Sequence, residues 1–488
     1  MRNPRYGGCV PLFGAPGGFP LRRAFHFWKA PRSMASAAEQ LARNLNFASF
    51  AKAKDLHARI IFTVIALICY RLGTFIPIPG IDVEAFARAF SQAQQGILGM
   101  ANMFSGGAVE RLAVFALNVM PYISASIIIQ LLSSFPGRLE QLKKEGESGR
   151  AQLTQYTRYL TVVLAVAQSL TIANGLASSP GVVIDPGPMF IASTVITLTG
   201  GTMLLMWIGE QITARGIGNG VSLIIFAGIV AEVPKAIFRA LTLAQEGSIS
   251  GFAILALVVI LTAAIVLIVF VERSQRRIVV QYPKRQVGNK MTTGEQSFLP
   301  LKINTAGVIP PIFASSLLLL PATAAGFLAS GQLPENAPDW QVVLQEGIRT
   351  TAGLLSHGQP MFIALFGLLI LFFCFFYTSV VFNTEETADN LRKQGGFLPG
   401  IRPGAKTADY LDMVMSRLTL IGAIYLVIVC LVPEIVSSQF GMQFYLGGTS
   451  LLIVVSVTID TVAQIQSHML AHQYEGMIKR SKLKGRGR

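Results

Sequence analysis

The side chains that most often carry catalysis form no reaction centre in this sequence. It has no HExxH pair for a zinc ion and no GxSxG nucleophile elbow. The five histidines, His26, His57, His357, His468 and His472, fall outside the apolar runs, and no two carboxylates share a helix face within one. Glu385 and Glu386 belong to a polar loop. Of the four cysteines, Cys9, Cys69, Cys374 and Cys430, the last three sit inside apolar runs without metal-ligand spacing. They read as small buried hydrophobes and not as a disulfide framework. Gly209, Gly216, Gly218 and Gly220 lie in WIGEQITARGIGNGVSLIIF, between two apolar segments and with no strand before them. That context favours a tight turn, with Glu210 and Arg215 at the surface, over a nucleotide loop. No enzyme activity, cofactor or metal is expected.

Polar groups inside apolar runs are the informative remainder. Arg71 and Asp460 are the ionisable ones. They form no acidic relay, so ion-coupled transport has no visible machinery. Arg71 is expected to reach the outer surface or to pair with backbone carbonyls, and Asp460 to serve helix packing. The stretch 114–132, VFALNVMPYISASIIIQLL, concentrates the rest. Pro121 removes a backbone donor and clashes with the preceding turn, which predicts a kink or break near Asn118. Ser124 and Ser126 suit a face packed on other helices. Gln130 places an amide at membrane depth, where it needs a partner. A broken, polar-bearing helix faces protein or a cavity; an ordinary kinked helix in a bundle is the alternative.

These residues need elements to hold them, and composition names the class. The 488 residues are 52% hydrophobic and 13% charged, where a soluble protein carries about 25% charged residues. The apolar runs are continuous and not alternating, which excludes a β-barrel. Ten spans are expected, at 60–76, 118–135, 160–176, 189–208, 221–233, 251–271, 307–327, 360–381, 418–432 and 447–465, with the fifth, ninth and tenth short. With the N-terminus inside, the inside segments from residue 34 onward hold 28 Lys and Arg and the outside ones 5. Both termini are therefore expected in the cytoplasm.

The inside loops 272–303 and 382–417 are long, basic and glycine-containing. Topology and anionic lipid explain their charge but not their length. Outside, 97–104 is apolar yet too short to span, and either a short helix tucked toward the membrane centre or a surface turn fits it. Residues 1–33 are rich in Gly, Pro and Arg and lack an acidic residue. An organellar transit peptide or an upstream start is open, and Met34 is the preferred true start. Residues 34–59 read as a basic amphipathic segment at the membrane surface.

Five collinear segments carry a resemblance. NVMPYISASIIIQLL, MWIGEQITARGIGNGVSLIIF, VERSQRRIVVQYPKR, FNTEETADNLRKQGGFLPGIRPG and GGTSLLIVVSVTIDTVAQIQ resemble the bacterial SecY family, whose members form the pore of the protein translocon. The match runs from about residue 62 to the end. The resemblance implies an all-α polytopic fold with two inverted-repeat halves, 60–250 and 251–465, around a central pore, and a basic tail at 466–488.

The same resemblance assigns roles to residues of this chain. Val119, Ile123, Ile225, Ile312 and Ile453 would form the pore ring, with Val119 where the family often has isoleucine. The segment near 97–111 would be the plug beneath it. The second and seventh spans would form a lateral gate, with Gln130, Thr157 and Asn304 as its polar cluster. Arg276, Arg277, Lys284, Arg285 and Arg402 would face the SecA motor or the ribosome, and Tyr474 matches a tail position tied to the motor. Asn289 and Lys290 stand where the family often has two arginines, which implies weaker ribosome contact there. The implied partners are SecE- and SecG-type small membrane subunits, the SecA ATPase, the ribosome, signal peptides and nascent chains, membrane lipid, SecDF and YidC. The rival class is a secondary transporter of small solutes, which requires a polar pocket at mid-depth.

Overall fold

A computed structural model of the chain describes residues 54–93, 102–177, 181–246, 251–283, 286–287, 290–291, 296–318, 347, 350, 359–440 and 447–485. Asp55–Ala471 forms one compact unit. The other unit, 1–54 with 472–488, is described only at Lys54 and along the last helical residues up to Gly485. The reading of 1–33 and 34–53 and the first part of the expected plug, 97–101, therefore lie outside the described residues.

The elements in order are α1 (Lys54–Gly73), α2 (Val83–Ala93), α3 (Met120–Leu132), α4 (Arg138–Lys144), α5 (Glu147–Ala177), α6 (Pro188–Arg215), α7 (Gly220–Gln245), α8 (Gly251–Arg273), β1 (Gln275–Gln281), β2 (Gln286–Val287), β3 (Lys290–Met291), β4 (Gln296–Lys302), α9 (Ile309–Leu318), α10 (Pro360–Val381), α11 (Thr384–Lys393), α12 (Ala405–Phe440) and α13 (Gly448–Gly485). Among the described residues, seven helices are long and apolar enough to cross a membrane, and α3 and α9 are shorter apolar helices. α8 adds a 23-residue helix with no ionisable side chain before Glu272. All ten expected spans thus fall on helices, although the seventh is described only to Leu318. Ile61, Val64, Ile65, Ile68 and Leu72 are exposed on α1, as a lipid-facing stripe should be. Cys69 is exposed as well, so it is not the buried hydrophobe expected of it, whereas Cys374 and Cys430 are buried and free.

One expectation about the spans needs correction. The fifth, ninth and tenth are not short. α7 continues through Pro234 and α12 through Pro433, while α13 runs on past the membrane segment into the tail. A proline deletes one helical hydrogen bond but need not end a helix whose other bonds and packing survive. The second span breaks near Asn118, the second of the two forms expected there. Residues 115–119 are turns, Asn118 takes φ 50°, and the helix starts at Met120 with Pro121 in its first turn. There a missing N–H costs nothing, because first-turn donors have no intrahelical partner.

Glycine spacing serves close approach between α6 and α7. A Cβ on Gly220 would lie 1.9 Å from the Gly209 carbonyl oxygen, so these helices touch backbone to backbone. The turn between them is fixed from two sides. The Ile217 N–H donates to Thr63 Oγ1 at 3.1 Å, and the Gly218 N–H to Gln464 Oε1 at 2.8 Å. Arg215 is exposed, as expected. Glu210 is instead partly buried and takes both arms of the Arg158 guanidinium, at 2.9 and 2.8 Å.

Candidate functional site: an apolar waist, a seated segment and a basic face

The five aliphatic side chains expected at the ring come from four elements: Val119 and Ile123 from the entry of α3, Ile225 from α7, Ile312 from α9 and Ile453 from α13. The structure brings all five into one apolar cluster. Val119, Ile123, Ile225 and Ile453 are buried and Ile312 is partly buried. None carries a polar atom, so a pore closed by them offers water no partner and dewets.

Met103 and Phe104 belong to the same cluster. They lie in the segment 102–107, held by polar contacts from three elements. Asn118 Nδ2 donates to the Phe104 carbonyl at 2.6 Å, and Tyr70 Oη to the Ser105 carbonyl at 3.1 Å. Arg71 donates to the Gly106 carbonyl. Ser450 Oγ donates to Met103 Sδ at 3.3 Å. The left-handed backbone at Asn118 thus accompanies an amide aimed at the segment 102–107. Arg71 takes the second of its two expected roles, pairing with a backbone carbonyl. Asp460 is exposed and takes no part in this packing.

The polar gate residues are distributed differently from expectation. Gln130 Nε2 donates to Ser126 Oγ at 3.2 Å, one turn back on its own helix, and Thr157 Oγ1 to the Leu153 carbonyl at 2.9 Å. Asn304 Nδ2 donates to Glu272 Oε1 at 2.7 Å. Among the described residues no hydrogen bond joins any two of the three. α3 packs along α5, so Gln130 and Thr157 sit on neighbouring helices. Between α3 and α9 the polar contact is instead Ser316 Oγ to Met120 Sδ at 3.8 Å. Burial pushes the Glu272 carboxyl above its ordinary range, and Asp460 adds to that, while the Asn304 bond and Lys302 pull the other way.

The two long loops, read as separate, build one body. β1 pairs antiparallel with β4 from Gln275 opposite Lys302 to Gln281 opposite Gln296. At its far end Gln281 exchanges both backbone hydrogen bonds with Phe397 of the other loop, each at 2.9 Å. Beneath, Ile278 and Leu301 of the ribbon pack with Leu398 and with Leu411, Met415 and Leu418 of α12. Arg276 and Arg277 are exposed at the ribbon's membrane-proximal end. Arg402 is exposed too, and its carbonyl is pinned by Thr407 Oγ1 at 3.0 Å. Lys284, Arg285 and Asn289 lie outside the described residues, as do the side chains of Lys290 and Tyr474.

Gly396 lets the loops meet. A Cβ there would lie 3.0 Å from Val280 Cγ1 and 3.1 Å from Tyr282 Cε1. Gly396→Val is expected to lift Phe397 off β1 at a cost of about 1–3 kcal/mol, the range for overpacking a tight contact. Hydrogen exchange checks it: the amides of Gln281 and Phe397 should exchange faster while those of α5 and α6 stay protected.

The SecY family profile matches residues 113–462. The protein translocase subunit SecY of Escherichia coli strain K12 is 51% identical over 437 residues, covering 89% of this chain and 96% of that protein. The chain belongs to the SecY family. Solved structures agree at the level of fold. A SecY channel studied for its plug domain superposes with a TM-score of 0.58 at 17% identity, covering 84% of this chain and 92% of that one. Sec61 in the canine ribosome-channel complex gives 0.57 at 16%, with the same coverage. The chain is thus an all-α, multi-pass membrane protein with the ten-helix pore architecture of the SecY family.

Within that SecY frame, sequence reasoning missed Glu272, Ser316, Tyr70 and Ser450. Glu272 was legible only as the first residue of a basic loop, and its contact with Asn304 crosses 32 residues of sequence. Ser316 and Ser450 sit in apolar runs, where a small hydroxyl reads as a packing residue. The ribbon had a signal in RRIVVQ, a run rich in β-branched residues, opposite FLPLK.

Proposed function

We propose that this chain is the pore-forming subunit of a bacterial plasma-membrane translocon, with both termini in the cytoplasm. It passes unfolded polypeptides through the aliphatic waist and releases apolar segments sideways between α3 and α9. It does no chemistry itself. The driving force comes from a SecA-type ATPase or a ribosome seated on the basic ribbon and the Arg402 loop, and small SecE- and SecG-type membrane subunits complete the complex. SecDF and YidC are further partners under this reading.

The observation that carries it is one apolar cluster that joins Val119, Ile123, Ile225, Ile312 and Ile453 with Met103 and Phe104 of a segment held by Asn118, Tyr70 and Arg71. A solute transporter needs charged or polar groups gathered at that depth, whereas here Arg71 is taken up by the seated segment. The inside excess of Lys and Arg supports the orientation. The Escherichia coli relative is named a translocase subunit, and one structural relative sits in a ribosome-channel complex. Clustered basic groups suit phosphate-bearing or acidic partners.

Site-specific photocrosslinking tests this reading. A secretory polypeptide stalled in transit should label a photoreactive residue placed at Ile225 or Ile453. One placed at Val259, which is 60% exposed on α8, should stay unlabelled. Equal labelling at all three would contradict a central path.

A further inference from the structure

The face of α7 that meets the segment 102–107 carries a glycine and, one turn on, a carboxylate. A Cβ on Gly228 would lie 2.6 Å from the Phe104 carbonyl oxygen and 3.2 Å from the Gly106 nitrogen, so helix and segment touch backbone to backbone. Glu232, one helical turn further, shares that face. A Cβ on Gly107 would lie 2.6 Å from Glu232 Oε1, and one on Gly106 would lie 3.0 Å from Arg71 Nη1. The glycine pair thus stands between a guanidinium on α1 and a carboxylate on α7, each against one of two consecutive residues. Tyr70, buried beside them, lies within electrostatic reach of both charges.

Neither charge has its best partner while the segment is seated. Arg71 is partly buried. It donates to the Gly106 carbonyl and, at 3.5 Å, to Thr74 Oγ1, and its guanidinium carbon is 4.9 Å from the centre of the Phe75 ring. Among the described residues it forms no ion pair with a carboxylate. Glu232 is partly buried as well. Its Oε1 accepts from Lys235 Nζ at 3.0 Å, and among the described residues its Oε2 accepts no hydrogen bond. Met103 and Phe104 fill the cluster that also holds the five aliphatic side chains, so a polypeptide threads that cluster only after the segment has left. Its departure takes the Gly106 carbonyl away from Arg71 and removes both glycines from between Arg71 and Glu232.

We propose that Glu232 is a positioning residue of the open channel: once 102–107 has left, Arg71 turns from the Gly106 carbonyl to the Glu232 carboxylate, and this ion pair across the vacated seat joins α1 to α7 and delays the return of the segment. A part-buried guanidinium that loses its acceptor must find another. A carboxylate is the stronger acceptor, and it takes an arginine fork in two parallel hydrogen bonds. The free Oε2 lets Arg71 bind without first displacing Lys235. This inference rests on the proposed passage of polypeptide through the waist and adds what receives Arg71 when the waist opens.

The test is planar-bilayer conductance of the full-length chain reconstituted with its small subunits, at rest and with a synthetic signal peptide added. Wild type must open with the peptide; if it does not, the proposed function fails and this inference with it. Glu232→Gln should keep the resting conductance of wild type and lower the peptide-opened fraction about three- to tenfold, between the effect of an exposed ion pair and that of a buried charged hydrogen bond. Glu232→Asp, smaller but still charged, should recover most of that loss, which a role in packing against Gly107 would not allow. In an Arg71→Gln background, Glu232→Gln should lower the opened fraction no further. Where Arg71→Gln fails to assemble with the small subunits, the comparison of Glu232→Gln with Glu232→Asp decides. An opened fraction that Glu232→Gln leaves unchanged, an equal loss in Glu232→Asp, a loss that persists without Arg71, or a resting leak in Glu232→Gln overturns the assignment.

Discussion

Replacing Ile123 and Ile225 together with serine is expected to raise the resting ion conductance of the channel about tenfold or more, each side chain being worth roughly 1.5–3 kcal/mol of apolar burial. The two come from different elements, α3 and α7, and both are buried in one apolar cluster. Neither makes a hydrogen bond through its side chain, so the barrier to ions at this point is the absence of anything for water to bind. Two hydroxyls remove that absence and wet the constriction. The segment 102–107 keeps its place, because its ties run through Asn118, Tyr70, Arg71 and Ser450 and not through the isoleucines. The increase should therefore be a steady leak and not a fully open pore. Planar-bilayer recording decides it. A double variant as tight as wild type would mean that the seated segment alone makes the seal.

Arg402→Glu is expected to abolish motor-driven export, with a loss of about 2–5 kcal/mol in partner binding, the range for breaking a desolvated charged contact. Arg402 is exposed on a turn that is not free to drift. Its carbonyl is held by Thr407, Leu398 is anchored under the ribbon, and Phe397 is bonded to Gln281. A guanidinium presented this way offers a rigid fork to a carboxylate or phosphate, and a carboxylate in its place repels the same group. If the residue served topology alone, one reversal among 28 inside charges would barely register. The measurement is SecA-dependent translocation into vesicles, beside a check that the variant inserts and purifies with its small subunits. Near-normal translocation by an assembled variant would remove Arg402 from the docking face.

How far the sequence could be read depended on how local each cause was. The spans were legible because lipid demands about twenty apolar residues in a row. The break at Asn118 was legible because Pro121 acts on the turn immediately before it. Its form was not. Whether Pro121 kinks a helix or begins one depends on φ at Asn118, and that is fixed by the distant Phe104 carbonyl. The spans drawn to 233 and 432 stop one residue before Pro234 and Pro433, yet the helices run through both, since the packing that carries a helix past a proline is not written beside it. The ring residues were assigned through family resemblance; all five lie in or against one large apolar cluster that does not single them out. The gate cluster was assigned in the same way, but its members donate locally or, for Asn304, to Glu272 as well. Likewise the joining of the two basic loops rests on the Gln281–Phe397 pair and on a bare Gly396, neither of which has a signature in its own neighbourhood.

Translocation by the chain itself is the most direct measure of the central claim. The full-length protein, reconstituted with its small membrane subunits and supplied with a SecA-type motor and ATP, should carry an unfolded secretory polypeptide into protease-protected space inside the vesicle. Protection should depend on ATP and on a signal sequence, and it should disappear with Arg402→Glu. Vesicles that assemble the complex yet protect no polypeptide, or that take up a small solute in its place, would contradict the account.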